Sequence, residues 1–325
     1  MILVRSPLRI SIIGGSTDLP SFYRKYSGFV ISGAINKYVY VLVNRTMQEE
    51  ILLKYSQFEN PETINDINHP IIREVLKRMQ FKSPQLEIVT FADIPGGMGL
   101  GSSSSFTCAL LKALYSHRNI QILPDKLAEK ACSIEIDTLK GNLGKQDQYI
   151  SAYGGLQCMW FDKDDEVAVR PLKISFDKML ELQDSIMLFF TGFTHTTNDV
   201  LKDQVKRTEN NDEEMIANLL KVKEMAFEGK KLLESGDITG YGKLTHEHWM
   251  NKRKRSNGMS NDIIDQWYNA GINAGAIGGK LVGSGGGGFL MFITEDQKRL
   301  RNTMKEIGLE EVRFNFDFEG TKRII

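Results

Sequence analysis

Cysteine is scarce in this chain: Cys108, Cys132 and Cys158 are the only three in 325 residues, each inside an apolar stretch and without C-x-x-C spacing. That excludes a disulfide framework and a thiolate zinc site, and leaves buried thiols in a reducing compartment. Net charge is lacking too. The 41 basic residues balance 41 acidic ones, so no global field points to nucleic acid or to an anionic membrane. No apolar run approaches membrane-spanning length, and the opening MILVRSPLRISII, with charges at Arg5 and Arg9, has no signal-peptide layout. A cytoplasmic protein is expected. Internal repeats and low-complexity segments are also missing. Two familiar nucleotide signatures fail as well. Gly279–Lys280 is followed by Leu281, so no G-x-x-x-x-G-K-[ST] occurs. Gly283, Gly285 and Gly288 satisfy G-x-G-x-x-G, but the strand-like FLMFI follows where a dinucleotide fingerprint would open a helix.

What the chain does have is PGGMGLGSSSS, Pro95 to Ser105. An alternating segment (Leu86, Ile88, Val89, Phe91, Ile94) feeds it, and a helical pattern (Phe106, Leu110, Leu111, Leu114) follows directly. Gly96, Gly97, Gly99 and Gly101 let the backbone turn tightly and approach a ligand closely. The serine run then falls where the free N–H groups of a helix start point outward, a natural seat for phosphate. A flexible linker would not be clamped between a strand and an amphipathic helix. A second cluster, GSGGGG, forms a glycine-tipped hairpin and is plausible as another wall of a phosphate site.

The remaining pattern predicts strands at Ile2–Ile13, Phe29–Ile35, Lys37–Asn44, Ile51–Tyr55, Leu156–Phe161 and Val167–Leu172. Helices are expected at Ile71–Met79 and at Pro124–Leu139, with GNLGKQDQYISAYGG as a loop after the second. Beyond Leu182 the chain turns mostly helical, between a strand at Ser185–Thr191 and strands at Ala276–Val282, Phe289–Thr294 and Val312–Phe316. Strands, then helices, then strands imply an α+β fold of two domains, residues 1–182 and 183–325.

Phosphoryl transfer needs charge around the moving group and a base for the acceptor hydroxyl. Asp147, beside Lys145, is a candidate base or one half of a solvated pair. Glu135 lies on the row Ala128, Ala131, Cys132, Leu139, where a buried carboxylate needs a donor or cation. Mg²⁺ shared with a serine hydroxyl would satisfy it, and so would pairing with Lys140 or a nearby donor. Asp18 follows two glycines in a turn; it either reaches ligand hydroxyls or bonds its own backbone. His195, His246 and His248 make no metal-ligand set, and His248 reads as helix surface. The run Lys252–Arg255 is a solvated helix face or a seat for an anionic substrate group.

The motifs SPLRISIIGGSTDLP, PGGMGLGSSSS and KLVGSGGGGF, in that order, resemble those of the GHMP kinases, the superfamily of galactokinase, homoserine kinase, mevalonate kinase and phosphomevalonate kinase. Within it, GGSTDLP, AINKYVYV, IEID…GKQDQY, HWMNKRKRS and GAIGGKLVGSGGGGF are most similar to the D-glycero-D-manno-heptose 7-phosphate kinases. The resemblance implies a two-domain GHMP fold with ATP and acceptor in the inter-domain cleft. It makes Gly97, Gly99, Leu100, Gly101, Ser102, Ser103 and Ser104 the cradle for ATP phosphates, with Ser103 and Glu135 as Mg²⁺ ligands. It casts Asp147 as the base or orienting carboxylate and Arg9 as the cation near the transferring phosphate. Asp18 becomes the sugar-binding carboxylate, with Gly15, Ser16, Gly285, Gly286, Lys252 and Arg253 as further acceptor contacts. Galactokinases carry Glu and His where this chain has Gly15 and Ser16, which argues against galactose. Ser284 replaces a commoner Ala, and His195 stands where related sugar kinases often have Arg. The implied reaction phosphorylates the C1 hydroxyl of a heptose 7-phosphate for nucleotide-activated heptose and surface polysaccharide, by a monomer or homodimer whose partner is the sugar phosphate. The alternatives are a kinase of a fucose-like sugar and a non-catalytic sugar or nucleotide sensor of the same fold.

Overall fold

A computed structural model describes residues 1–81, 85–193, 198–256 and 258–325; His195 lies outside them. Among the described residues, twelve strands form two sheets. The larger uses β1 (Ile2–Ile13), β2 (Gly28–Asn44), β3 (Glu50–Lys54), β4 (Phe58–Glu59), β5 (Gln85–Ala92), β6 (Leu156–Phe161), β7 (Val167–Pro171) and β12 (Lys322–Arg323), in the order β12-β1-β2-β5-β3-β4 with β6 and β7 continuing from β2. The smaller has the order β11-β8-β10-β9, from β8 (Ile186–Phe190), β9 (Gly278–Leu281), β10 (Phe289–Ile293) and β11 (Glu310–Glu311).

The two strands expected at Phe29–Ile35 and Lys37–Asn44 are one strand of 17 residues. Its first half pairs with β6 and its second half with β5, while β1 lies along its other edge. The apolar residues of β1 (Leu8, Ile10, Ile12) join the main core, which the helix Ser102–His117 covers. The two-residue period of a strand then turns Arg9 and Ser11 to the opposite face, toward the cleft.

The expected last strand, Val312–Phe316, is replaced by short pairings. Glu310–Glu311 joins β8, Phe316 bridges Ile35 and Lys322–Arg323 adds to β1. The C-terminal segment thus returns to the first sheet, so the partition at residues 182 and 183 does not separate the two sheets cleanly. The helix Phe176–Ser185 crosses that boundary. Among the described residues, no helix is long and apolar enough to cross a membrane. All three cysteines are buried and free.

The two glycine-rich loops meet. A Cβ at Gly283 would lie 2.7 Å from the Gly99 Cα, and one at Gly288 would lie 2.3 Å from the Met98 carbonyl oxygen. Gly288 also has φ +94°, a backbone conformation that L side chains rarely adopt. Gly288→Ala should therefore cost about 2–4 kcal/mol, from overpacking plus backbone strain. A chemical-denaturation midpoint equal to wild type would show that the loops do not depend on this contact.

Candidate functional site

The cleft beside these loops is lined by Arg9, Asp18, Gln146, Asp147, Lys252 and Lys280 among others. Its base is the pair Arg9–Asp147. Arg9 Nε donates to Asp147 Oδ1 and Nη2 to Oδ2, both at 2.7 Å, and Nη1 donates to the Gly99 carbonyl at 2.5 Å. The Arg9 amide also donates to the Leu100 carbonyl at 3.0 Å. One buried guanidinium thus joins β1, the first glycine loop and the helix Gln146–Tyr153. Such a fork fixes both carboxylate oxygens in one plane.

That helix occupies the segment read as a loop, and Asp147 sits in its first turn. Lys145 is not Asp147's partner. It donates to the Asp165 carbonyl at 2.9 Å and lies 3.8 Å from Glu129.

Glu135 lies in a π-helical turn, Ser133–Thr138, that continues the α-helix Pro124–Cys132 in place of a single helix to Leu139. Its carboxylate is buried and accepts from Ser103 Oγ at 2.5 Å and from Gln148 Nε2 at 2.8 Å. Burial raises its pKa, and the bonds from Ser103 and Gln148 oppose that rise. Lys140 is not its partner. Gln148, fully buried, went unnoticed in the sequence because an amide in a helix carries no spacing signal.

The helix starting at Ser102 has Gly101 at its N-cap with φ +78°. Its first amides, from Ser102 to Ser104, have no partner within the helix by geometry alone. A Cβ at Gly97 would meet nothing within 4 Å, so that side of the loop is open to a ligand. Gly101 differs. Its Cβ would lie 3.2 Å from Arg9 Cγ and 3.2 Å from Asp147 Oδ2, so a side chain there would disturb the ion pair before any phosphate.

Among the described residues no three His, Cys, Asp or Glu side chains gather as a metal cluster. The oxygen-only pair Ser103 and Glu135 nonetheless fits Mg²⁺, which takes one or two protein ligands and completes its shell with phosphate oxygens and water.

Asp18 is buried. Oδ1 accepts from the Ser16 amide at 3.0 Å, and Oδ2 from the Gln146 amide at 3.0 Å. Desolvation outweighs these bonds and pushes its pKa up to about 6. Gly15 and Ser16 line the same wall. Ser16 takes φ +79°, and its hydroxyl accepts from Arg255 Nη1 at 2.9 Å.

The C-terminal half supplies cations in an unexpected arrangement. Lys252 is buried and lines the cleft, whereas Arg253 turns outward to Asp265 and does not line it. Arg253 and Lys254 border a separate surface pocket. His248, expected on the helix surface, is buried and faces the cleft. Gly285 and Gly286 are not brought to the cleft either. Gly285 would press a Cβ against Met259 Sδ at 2.3 Å, and the Gly286 amide donates to the Met259 carbonyl. Gly283 and Ser284 line the cleft instead. Lys280 was missed, yet it is the single charge in GGKL, a strand buried at every position.

Two family descriptions match the chain: "GHMP kinases N terminal domain" over residues 69–155 and "GHMP kinases C terminal" over residues 230–308. Over 335 aligned positions the chain is 29% identical to the D-glycero-alpha-D-manno-heptose 7-phosphate kinase of Campylobacter jejuni, covering 99% of this chain and 98% of that protein. It is 26% identical to the bifunctional fucokinase/GDP-fucose pyrophosphorylase of Arabidopsis thaliana, of which it spans only 31%. Among solved structures, a D-glycero-D-manno-heptose 1-phosphate kinase from Bacteroides thetaiotaomicron superposes with a TM-score of 0.81 at 24% identity, over 100% of this chain and 99% of that one.

Asp18 generates a prediction about stability. Its pKa is higher in the folded chain (about 6) than the ordinary 3.8, so between these values the folded state holds the extra proton. Stability from this group is therefore present below about pH 4 and lost as pH rises through 6, by on the order of 2–3 kcal/mol. Asp18→Asn should lack that slope, so the difference between wild-type and variant denaturation free energies should itself change with pH between about 4 and 6. A pH-independent difference would mean that Asp18 titrates normally.

Proposed function

We propose a substrate and a division of labour for a chain that belongs to the GHMP kinase family and is a sugar kinase, a phosphotransferase with an alcohol acceptor. The donor is ATP, the acceptor D-glycero-D-manno-heptose 7-phosphate and the product its 1,7-bisphosphate. The observation that carries this reading is the Arg9–Asp147 fork, set between an open phosphate loop and a cleft with a buried carboxylate for sugar hydroxyls. Similarity along almost the whole length of a heptose 7-phosphate kinase supports the choice of sugar. The Bacteroides protein's name also carries a heptose but a different phosphate, so the position of transfer is the finer part of the proposal.

The amides of Ser102, Ser103 and Ser104 and the open face of Gly97 would bind the ATP phosphates by their donors and the helix dipole. Ser103 and Glu135 would hold Mg²⁺, which supplies charge neutralisation for the phosphoryl oxygens. Gln148 keeps the Glu135 carboxylate turned toward Ser103. Asp18 accepts from ring hydroxyls and sets the sugar's orientation. Asp147, planar in the Arg9 fork, directs the anomeric hydroxyl at the γ-phosphorus and takes its proton. The new O–P bond forms as the bond to the β-phosphate oxygen breaks, and ADP leaves. Arg9, released in part from Asp147 as that proton arrives, offsets charge on the transferring group.

ADP release should be measured with heptose 7-phosphate, free heptose, fucose and galactose. Turnover should be fastest with heptose 7-phosphate, and its reducing end should disappear, because C1 phosphorylation blocks ring opening. A product that still reduces places the transfer elsewhere, fastest turnover of fucose favours the neutral-sugar kinase, and no ADP from any sugar leaves a sensor. Asp147→Asn should lower kcat roughly a hundredfold or more while calorimetry still registers ATP binding. Near wild-type turnover removes Asp147 from the mechanism. Glu135→Gln should raise the Mg²⁺ concentration needed for half-maximal rate, and an unchanged titration counts against a metal role for that carboxylate.

A further inference from the structure

Besides the Arg9–Asp147 fork, the cleft is lined by two buried lysines and a histidine, with a buried arginine nearby, and no acidic side chain pairs with any of them among the described residues. His248 and Lys252 lie one helical turn apart near the end of the helix Ile238–Arg253, Arg255 follows it, and Lys280 lies on β9. Their exposures are 4%, 6%, 2% and 3%. Lys280 Nζ donates to the Ile12 carbonyl at 2.6 Å, and Lys252 Nζ donates to the carbonyls of Leu281 at 3.1 Å and Gly283 at 2.6 Å. Arg255 donates to Asn218 Oδ1 at 3.0 Å and Ser16 Oγ at 2.9 Å, leaving Nη2 unused. Both ring nitrogens of His248 lack a partner. Among the described residues none of the four makes an ion pair. The two cleft carboxylates are engaged elsewhere, Asp147 by Arg9 and Asp18 by backbone amides.

Buried cations satisfied only by neutral dipoles are costly unless an anion joins them. The cost is visible in their titration: burial, then mutual repulsion, drives Lys252 well below its ordinary value, and burial with Arg9's charge pushes Lys280 down to about 7. Two phosphate-bearing molecules take part in the proposed reaction, ATP and the sugar phosphate, so the cluster serves either the donor or the acceptor. Its position decides between them. Lys280, Lys252 and His248 share the cleft with Asp18, Ser16 and Gln146, and no residue of the loop Pro95–Ser105 lines that space.

We propose that Lys280, Lys252 and His248, with Arg255 behind Ser16, form an acceptor subsite that binds a phosphate monoester carried by the sugar. The inference rests on the sugar-phosphate reading above for the carrier of that group, but not on the sugar being a heptose. Lys280 and Lys252 supply charge-assisted donors without giving up their carbonyl contacts, since an ammonium has three. The basic group at the far end of the acceptor is therefore built from inward residues of both a helix and a strand, and the outward Arg253 and Lys254 take no part.

The test compares wild type with Lys280→Met and Lys252→Met. With a non-hydrolysable ATP analogue saturating the donor site, calorimetry should detect inorganic phosphate binding to wild type and at least tenfold weaker binding to either variant. Without ligand, Lys280→Met should melt no lower than wild type, because it removes an unpaired buried charge. The ratio of kcat/KM for heptose 7-phosphate to that for free heptose should fall at least tenfold in both variants, while the analogue's Kd moves less than threefold. A weakened analogue with an unchanged ratio would overturn the proposal and hand the cluster to the donor phosphates. A lower melting temperature with both ratio and phosphate binding unchanged would overturn it in favour of a structural role. If wild type prefers a hexose phosphate to the heptose phosphate, the heptose assignment fails and the subsite stands. If wild type prefers free sugars and no phosphate binds, the subsite fails and the sugar-kinase reading stands.

Discussion

The fork between Arg9 and Asp147 is the interaction on which the site depends. Its three donors reach Asp147 and the Gly99 carbonyl, so the first strand, the glycine loop and a short helix are set relative to one another by one side chain. A point charge on a flexible stem would not impose that geometry, since only a planar guanidinium presents parallel donors to both carboxylate oxygens. The second glycine loop then packs on the first without side chains between them, and the cleft opens beside their contact. Backbone approaches backbone there because neither Gly99 nor Gly283 carries a Cβ.

Charge is managed differently on the two sides of this fork. Toward the phosphate loop, the buried Glu135 is satisfied by neutral donors, Ser103 and Gln148, and keeps lone pairs for a cation. The π-helical turn matters here. Its extra residue per turn interrupts the regular helix that begins at Pro124, at the position where Glu135 must face a serine from another helix. Toward the acceptor, the arrangement is reversed, and lysines without acidic partners rest on main-chain carbonyls. On the proposed reading, the carboxylate at one end would meet a metal and the lysines at the other an anion, an arrangement suited to aligning two phosphorylated molecules.

Local pattern carried much of this. Alternation in the first strand puts Arg9 and Ser11 on one face, and glycines before a serine run marked a helix start. Apolar context marked the cysteines as buried thiols, as they are. The three ordered motifs identified the family because each is a backbone requirement, written in glycine and proline, that survives without knowledge of the packing. The single charges were harder. Lys145 is two residues from Asp147 in sequence, but the partner is Arg9, 138 residues away. In the run Lys252–Arg255, helical geometry sends Lys252 into the cleft and Arg253 out to Asp265, although both read alike as basic residues.

The sequence by itself therefore determined the glycine-rich turn before a helix, most of the strands and the kinship of the chain, since these depend on backbone freedom and on spacing along one segment. Only the tertiary structure decided which acid meets which base, that His248 and Lys280 line the cleft, and that Gly285 and Gly286 pack on Met259 and do not line it. The physical reason is that burial and pairing of a charge are set by what distant elements bring against it, and a residue's neighbours in the chain carry no record of that.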